Sequence, residues 1–324
     1  MHVMITGAAG FLGQRLVHQL IERGALKGQA LTRLTLLDHV KTALPDTDVP
    51  VDIHTGDLAD PAVIQACLAG RPAVIYHLAA VVSSAAEADL ALGMQVNFDA
   101  TRQLLEGCAA LSLSDTRLIM AGSVAAYGGA LPDTVTDMTA LVPQNSYGTQ
   151  KAMAELLIND YSRRGLIDGL VLRLPTIIVR PGRPNAAASS FASSLLREPF
   201  KGEVAVCPVP ESLEMFVMSP GCVVAALLHG ADVPASALSH SRGFMLPGIT
   251  ISVAQMLDTL EALGGPEASA LVRHEPDPRI EAIVGSWPAR FSTDRARALG
   301  FAGDTDLTAI VQAFLTDDAT VASA

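Results

Sequence analysis

Thr6-Gly7-Ala8-Ala9-Gly10-Phe11-Leu12-Gly13 follows the short apolar run Val3-Met4-Ile5 and opens a stretch in which Leu12, Leu16, Val17, Leu20 and Ile21 recur at helical spacing. A buried strand, a glycine-rich turn and a helix, in that order, make a cradle for phosphate. Gly7 permits a tight turn, Gly10 lets a pyrophosphate approach the backbone, and Gly13 lets the helix pack closely on the strand. Free N–H groups at the helix start, around Phe11 and Leu12, then face the negative charge. A glycine triplet alone is weak evidence. Here the strand before it, the helix after it and Asp38 at the end of the next strand supply the required context. Asp38 can accept from both hydroxyls of a free ribose and would repel a 2′-phosphate, so NAD is expected over NADP, with His39 and Lys41 nearby as the counter-signal.

Outward from this motif the chain alternates strand and helix patterns. Strands are expected at Leu34–Asp38, Val51–His54, Ala73–His77, Arg117–Ala121 and Gly169–Leu174. Asp60-Pro61 opens a helix to about Ala69, Ala86 to Ala110 reads as one long helix, and Tyr147 to Tyr161 as another. Such alternation predicts an α/β fold, a Rossmann-type doubly wound parallel sheet covered on both faces. After Pro175 the rhythm loosens. Helices are expected near Gly221–His229, Val253–Leu263 and Leu307–Leu315, and a strand near Phe244–Leu246. The expected division is residues 1–175 as the cofactor-binding domain carrying the catalytic residues, and 176–324 as mainly a smaller C-terminal substrate lobe, with some segments returning to the core sheet.

Composition narrows the partners. The 324 residues carry a formal net charge of −11 and no dense Lys/Arg run, so no nucleic-acid partner is expected. The longest charge-free run, Met215 to Ala231, is broken by Pro220-Gly221 and holds Ser219 and His229, so no membrane span is expected. The N-terminal apolar stretch has no basic region before it and runs into the glycine motif, so it does not read as a signal peptide. Cys67, Cys108, Cys207 and Cys222 form no Cys-x-x-Cys pair, which fits reduced thiols of a cytoplasmic protein without a metal site.

The chemistry concentrates on one predicted helix. Tyr147 and Lys151, four apart, share a helical face. With only four tyrosines and four lysines in the chain, such a pair arises by chance about once in twenty. A phenol is a poor base at neutral pH, and an adjacent ammonium favours phenolate. The same lysine can donate to a nicotinamide ribose. Ser123 lies just past the fifth strand, at the carboxyl edge where open α/β sheets place their sites, and can hydrogen-bond the reacting oxygen. Asp57-Leu58, after the third strand, either meets an adenine edge or caps a loop.

Taken together, the glycine motif, Asp38, Asp57, His77-Leu78-Ala79-Ala80, Ser123 four residues before Tyr127, and Tyr147-x-x-x-Lys151 resemble an extended short-chain dehydrogenase/reductase, over most of the chain and in order. The resemblance implies Tyr147 as general base, Lys151 as the group that lowers its pKa and holds ribose, and Ser123 as the residue orienting the substrate oxygen. It implies Asn97 as the asparagine that shapes the site; otherwise Asn97 is a helix-face amide. Leu78, Ala79 and Ala80 would line the adenosine side and Pro175 would close the cofactor site. Such enzymes commonly dimerise through the two helices carrying Asn97 and Tyr147, so a homodimer is expected.

Nucleotide-sugar epimerases and dehydratases share these motifs and usually carry Arg-x-x-Asn after the sixth strand. Here the run is Arg173-Leu174-Pro175-Thr176, which argues against a nucleotide sugar. The run from Val179 to Glu203, with Ser83-Ser84 and Ser286-Trp287-Pro288, is similar instead to a bacterial subgroup that oxidises the C2 hydroxyl of a four-carbon sugar acid, D-erythronate, to the 2-oxo acid. From the residues alone, Arg180 and Arg183 flank a Pro-Gly-Arg-Pro segment, and a guanidinium fork suits a small carboxylate; equally they are loop caps. Ser83 and Thr176 are further candidate substrate contacts. Ser189, Ser190 and Ser193 either meet sugar hydroxyls or face a packing surface. Arg173 is expected to brace its strand. A sugar-acid dehydrogenase is therefore favoured, with a nucleotide-sugar epimerase or dehydratase as the alternative. A cofactor-sensing binding protein is third, since sensors of this fold typically lose the Tyr–Lys pair.

Overall fold

The structure, a computed structural model, describes residues 1–180, 182 and 187–322, with side chains as far as residue 316. The chain begins with β1 (His2–Thr6), α1 (Phe11–Arg23), β2 (Arg33–Asp38), β3 (Val51–Thr55), α2 (Pro61–Leu68) and β4 (Val74–His77). Then come α3 (Ser83–Ala88), α4 (Leu90–Gly93), a π-helical segment (Met94–Asp99), α5 (Ala100–Ala110), β5 (Arg117–Ser123), α6 (Ser146–Arg163) and β6 (Asp168–Leu174). The second half contains β7 (Thr176–Ile177), α7 (Ser190–Arg197), β8 (Ala205–Cys207), β9 (Glu214–Met218) and α8 (Pro220–Asp232). It continues with β10 (Gly243–Met245), β11 (Ile249–Ser252), α9 (Val253–Ser269), β12 (Val272–His274), α10 (Pro278–Gly285), α11 (Asp294–Ala298) and α12 (Leu307–Ala322).

Seven strands form one parallel sheet in the order β10-β6-β5-β4-β1-β2-β3. Reading inward from β3, the first six run 3-2-1-4-5-6, the doubly wound order, which reverses between β1 and β4. Both faces are apolar because helices cover both. One face packs Val3, Ile5, Leu34, Leu36 and Tyr76 against Leu16, Val17 and Leu20 of α1 and Val223, Val224 and Leu227 of α8. The other packs Met4, Ile75, Leu118 and Met120 against Ile64, Leu104, Leu105 and Ile158. The chain returns to this sheet over residues 220–245, through α8, which packs on α1, and β10, which pairs with β6.

A second core unites Ile178, Phe191, Leu195, Val217, Met256, Leu260 and Val311 around the small sheet β11-β9-β7 and the parallel pair β8-β12. At the junction, Val124, Tyr127, Val135, Phe216 and Met245 form a separate cluster.

One long helix over Ala86–Ala110 is not what forms. Asp89 is extended (φ −132°, ψ 93°) and ends α3, and its carboxylate caps α4 by accepting from Leu92 N–H at 2.9 Å. The π-helical turns that follow insert an extra residue per turn and point Asn97 inward. The helix expected at Val253–Leu263 runs on to Ser269 across a kink at Gly265-Pro266. Among the described residues no helix is long and apolar enough to cross a membrane, no group of three or more His, Cys, Asp or Glu side chains gathers, and the four cysteines are free thiols.

Candidate active site

Where the strand order reverses, a cleft of about 740 Å³ opens at the carboxyl ends of β1, β2 and β4. Thr6, Gly7, Ala9, Gly10, Asp38, Asp57, Leu58, Leu78, Ala79 and Ala80 line it. Gly7 adopts φ +73°, and a Cβ there would stand 2.6 Å from Ala79 N, so only glycine lets β1 turn this close to the loop after β4. A Cβ on Gly13 would stand 2.1 Å from Gly7 O, which fixes the tight packing of α1 on the turn. The first turn of α1 has no side-chain cap. Its N–H groups, at Phe11 and Leu12, are therefore open to an anion. Their side chains do not line the cleft: Phe11 stacks under Arg15 and Leu12 packs on the core.

Asp38 is held for its task. One carboxylate oxygen accepts from Ala9 N–H at 2.9 Å, and the other sits 2.8 Å from His39 Nδ1. Asp57 caps its loop by accepting from Ala59 N–H at 2.8 Å, and it also accepts from Gln95 Nε2 at 3.1 Å and lines the cleft. The donor and acceptor set, the uncapped helix and the glycine cradle fit a dinucleotide.

Val81 lines this cleft and Val82 the next one, a cavity of about 130 Å³. Its wall holds Ser83, Ser123, Tyr147, Pro175, Thr176, Arg180, Ser189 and Trp287. Ser123 is the last residue of β5 and Tyr147 lies in the first turn of α6, and their hydroxyls are hydrogen-bonded. Ser123 Oγ also accepts from Ala125 N–H at 3.1 Å. That leaves the Ser123 hydrogen for the phenol or for a substrate oxygen.

Lys151 is buried, with Nζ 5.7 Å from the centre of the Tyr147 ring. In the protein alone, burial is the largest influence on the phenol. Burial pushes Tyr147 up to about 12, and the groups pulling it down are Ser123, by its hydrogen bond, and Arg180, by its charge. Lys151 itself is lowered by burial to about 8. Arg180 is also lowered, by burial and by the neighbouring Arg197 charge.

Asn97 does not line the cavity. Its side chain clamps Val81 from both sides, accepting from Val81 N–H at 2.8 Å and donating to Val81 O at 3.0 Å. It also donates to Gln150 Oε1 at 2.7 Å. Asn97 is thus a positioning residue that ties the loop after β4 to α6, not a group in contact with reacting atoms. A buried chain extends behind it. Thr101 Oγ1 donates to Asn97 O at 3.1 Å, so it accepts from His77 Nε2 at 2.8 Å, and His77 Nδ1 accepts from Thr6 Oγ1 at 2.8 Å. Burial lowers His77 to about 3, so the imidazole is neutral and can play both roles.

Arg173 braces its strand as expected, donating to Glu155 of α6 and to the Tyr127 hydroxyl. Ser193 Oγ accepts from Arg180 N–H at 3.2 Å, which makes it a packing residue. Ser83 Oγ accepts from Ala188 N–H at 3.1 Å yet still lines the cavity. Arg183 lies outside the described residues. Gln150 was not foreseen: it is fully buried between Tyr147 and Lys151 in the chain, and only its place on that helix hinted at a role.

Residues 3–228 match the NAD dependent epimerase/dehydratase family. The chain is 49% identical over 321 residues to a D-erythronate dehydrogenase of Cupriavidus necator, covering 98% of each. It is 45% identical over 318 residues to a D-erythronate dehydrogenase of Haemophilus influenzae, covering 98% of this chain and all of the relative. Among solved structures, a nucleoside-diphosphate-sugar epimerase from Agrobacterium tumefaciens superposes with a TM-score of 0.94 at 39% identity, covering 99% of this chain and 95% of the other.

Proposed function

Since the chain belongs to the NAD dependent epimerase/dehydratase family, the extended branch of the short-chain dehydrogenases/reductases, we propose that it oxidises the C2 hydroxyl of D-erythronate to the 2-oxo acid. It is a NAD-dependent oxidoreductase acting on a sugar acid. The observation carrying the substrate reading is the small cavity beside Ser123 and Tyr147. At about 130 Å³ it has room for the volume of roughly four liquid waters, well below the ~300–1,000 Å³ of sites for drug-sized ligands. A four-carbon acid suits that space; a nucleotide sugar does not.

Each residue then has a task. Gly7, Gly10, Gly13 and the start of α1 at Phe11 and Leu12 cradle the pyrophosphate, while Asp38 meets the adenosine ribose. Asp57, Leu58, Leu78, Ala79 and Ala80 wall the adenosine side, and Pro175 and Lys151 the nicotinamide side. NAD, when bound, supplies the hydride acceptor and a positively charged ring. Ser123 holds the C2 oxygen, and Tyr147 as phenolate takes its proton as the C2 hydrogen leaves with its electron pair. Arg180 anchors the carboxylate, with Thr176 and Ser83 lining the same cavity, and its charge favours the phenolate.

The Agrobacterium structure, described as a nucleoside-diphosphate-sugar epimerase, favours a second reading, since it shares the fold at 39% identity. Thr176, where such enzymes usually carry asparagine, and the cavity volume weigh against it. Net turnover separates the two, because an epimerase regenerates its cofactor. A panel of four-carbon sugar acids with NAD, followed by NADH absorbance, is expected to give D-erythronate as the best substrate. No NADH from any sugar acid, with epimerisation of a nucleotide sugar, would reverse the order.

The protein works as a homodimer in the cytoplasm, paired through the helical segments that carry Asn97 and Tyr147, the run from α4 to α5 and helix α6. Exposed leucines on those helices, Leu90 and Leu156, support the pairing, and four free thiols support a reducing compartment.

A further inference from the structure

Helix α7 turns one face toward Arg180. Ser193 and Arg197 lie four residues apart, one helical turn, so they share that face. Ser193 Oγ accepts from Arg180 N–H at 3.2 Å, and the Arg197 guanidinium donates to Arg180 O. Both backbone polar groups of Arg180 are thus tied to a single turn of α7. One turn earlier, Ser189 lines the same small cavity as Arg180. Arg197 is 2% exposed, and its ion-pair partner Glu198 is 7% exposed. A buried ion pair adds little stability over apolar packing of the same volume, so what such a pair can add is a fixed geometry. The Arg180 charge is felt at the Tyr147 phenol, and the Arg197 charge works against that of Arg180. Two cations side by side are a state that an arriving carboxylate relieves.

We infer that Arg197 is the positioning residue that holds Arg180, the carboxylate anchor, at the cavity wall, so that the choice of acids over uncharged analogues depends on it. The inference rests on the reading of Arg180 given above. An arginine side chain is long and flexible, and its fork matches a carboxylate only from a fixed base. Arg180 stands beyond the end of β7, a strand of only two residues, so the sheet gives it little support. Helix α7 supplies that support. Ser193 alone is not enough: a bond to the N–H leaves the peptide plane after Arg180 free to rotate. The bond from Arg197 to the carbonyl stops that rotation. A methionine at position 197 would fill much of the space and leave the carbonyl unheld.

The test compares D-erythronate with D-erythronamide, in which a neutral amide replaces the carboxylate and every hydroxyl is kept. The wild type is expected to prefer the acid, and Arg180→Met to lose most of that preference. Arg197→Met should lower kcat/KM for the acid by about 10- to 10²-fold more than for the amide. A variant that only loosened the fold would penalise both alike. In Arg180→Met, adding Arg197→Met should remove no further preference, since the anchor it holds is gone. Arg197→Met leaves Glu198 as a lone buried carboxylate, so the pair variant Arg197→Met, Glu198→Gln is measured beside it and is expected to show the same loss of preference. An unchanged ratio of acid to amide in the Arg197 variants, with a reduced ratio in Arg180→Met, overturns this inference alone. A fully additive loss in the Arg180→Met background does the same, because Arg197 would then act independently of Arg180. An Arg180→Met enzyme that keeps the wild-type ratio overturns the anchor reading and this inference together.

Discussion

Tyr147 starts from an unfavourable state for a base. Burial holds its phenol near 12, and only the Ser123 hydrogen bond and the Arg180 charge pull the other way. Removing that hydroxyl removes the proton acceptor and little else. Tyr147→Phe should cut kcat by about 10²–10⁴-fold while NAD titration gives a nearly unchanged Kd; turnover above about a tenth of wild type would mean another base. Lys151 can be read through stability. Its folded pKa of about 8 lies below the ordinary 10.5. Between those values the unfolded chain holds more protons, so the native state gains stability as pH rises through that window and gains none below it. Measured against Lys151→Met, the wild-type unfolding free energy should therefore climb by about 1 kcal/mol per pH unit from roughly pH 8 to 10; parallel curves would contradict the burial of the charge. The Tyr–Lys spacing was legible because four residues is one helical turn. The Asn97–Gln150 bond was not, since it depends on segments far apart in sequence meeting in space.

Helix α6 is aligned by three contacts that converge on its buried face. Asn97 holds Gln150, Arg173 holds Glu155, and Gly148 lies against the turn after β5. The last is the tightest: a Cβ on Gly148 would stand 1.9 Å from Ala125 O. Ala125 N–H bonds Ser123, so a shift there moves the serine relative to Tyr147. Gly148→Ala should lower kcat on the order of 10²-fold, with NAD affinity retained and a reduced Tm, because misplacement by about an ångström has that effect. Full activity would show that the helix can be pushed back without cost. The sequence reading placed this helix within two residues at each end, but it missed the break between α3 and α5. The run Ala86–Ala110 holds two glycines, Gly93 and Gly107, and no proline, and Gly107 sits inside α5, so glycine content does not mark the break. The π-helical turn arises from tertiary demand, as Asn97 reaches Val81 and Gln150.

For the whole molecule, the parallel sheet was readable because its central strands are continuous apolar runs and its helices carry amphipathic spacing. In the second half β10 was expected near Phe244–Leu246 and forms at Gly243–Met245, but β7, of two residues, and β8 and β12, of three each, are too short for a period to register. The neighbouring helices α4 and α6 each carry an exposed apolar side chain: Leu90 is 61% exposed and Leu156 is 64% exposed. If these helices join two copies, the wild type should elute as a dimer and the double variant Leu90→Glu, Leu156→Glu as a folded monomer; a monomeric wild type would refute the pairing.

The central claim, hydride loss from C2 of D-erythronate with Tyr147 taking the hydroxyl proton, is tested most directly by label transfer. D-erythronate carrying deuterium at C2 alone is incubated with NAD and the enzyme, and the resulting NADH is analysed by mass spectrometry. The expected product is singly deuterated NADH, formed more slowly from labelled than from unlabelled acid if hydride transfer limits turnover, and nearly absent with Tyr147→Phe. Unlabelled NADH would place the oxidation at another carbon, and no NADH at all would remove sugar-acid oxidation from this site.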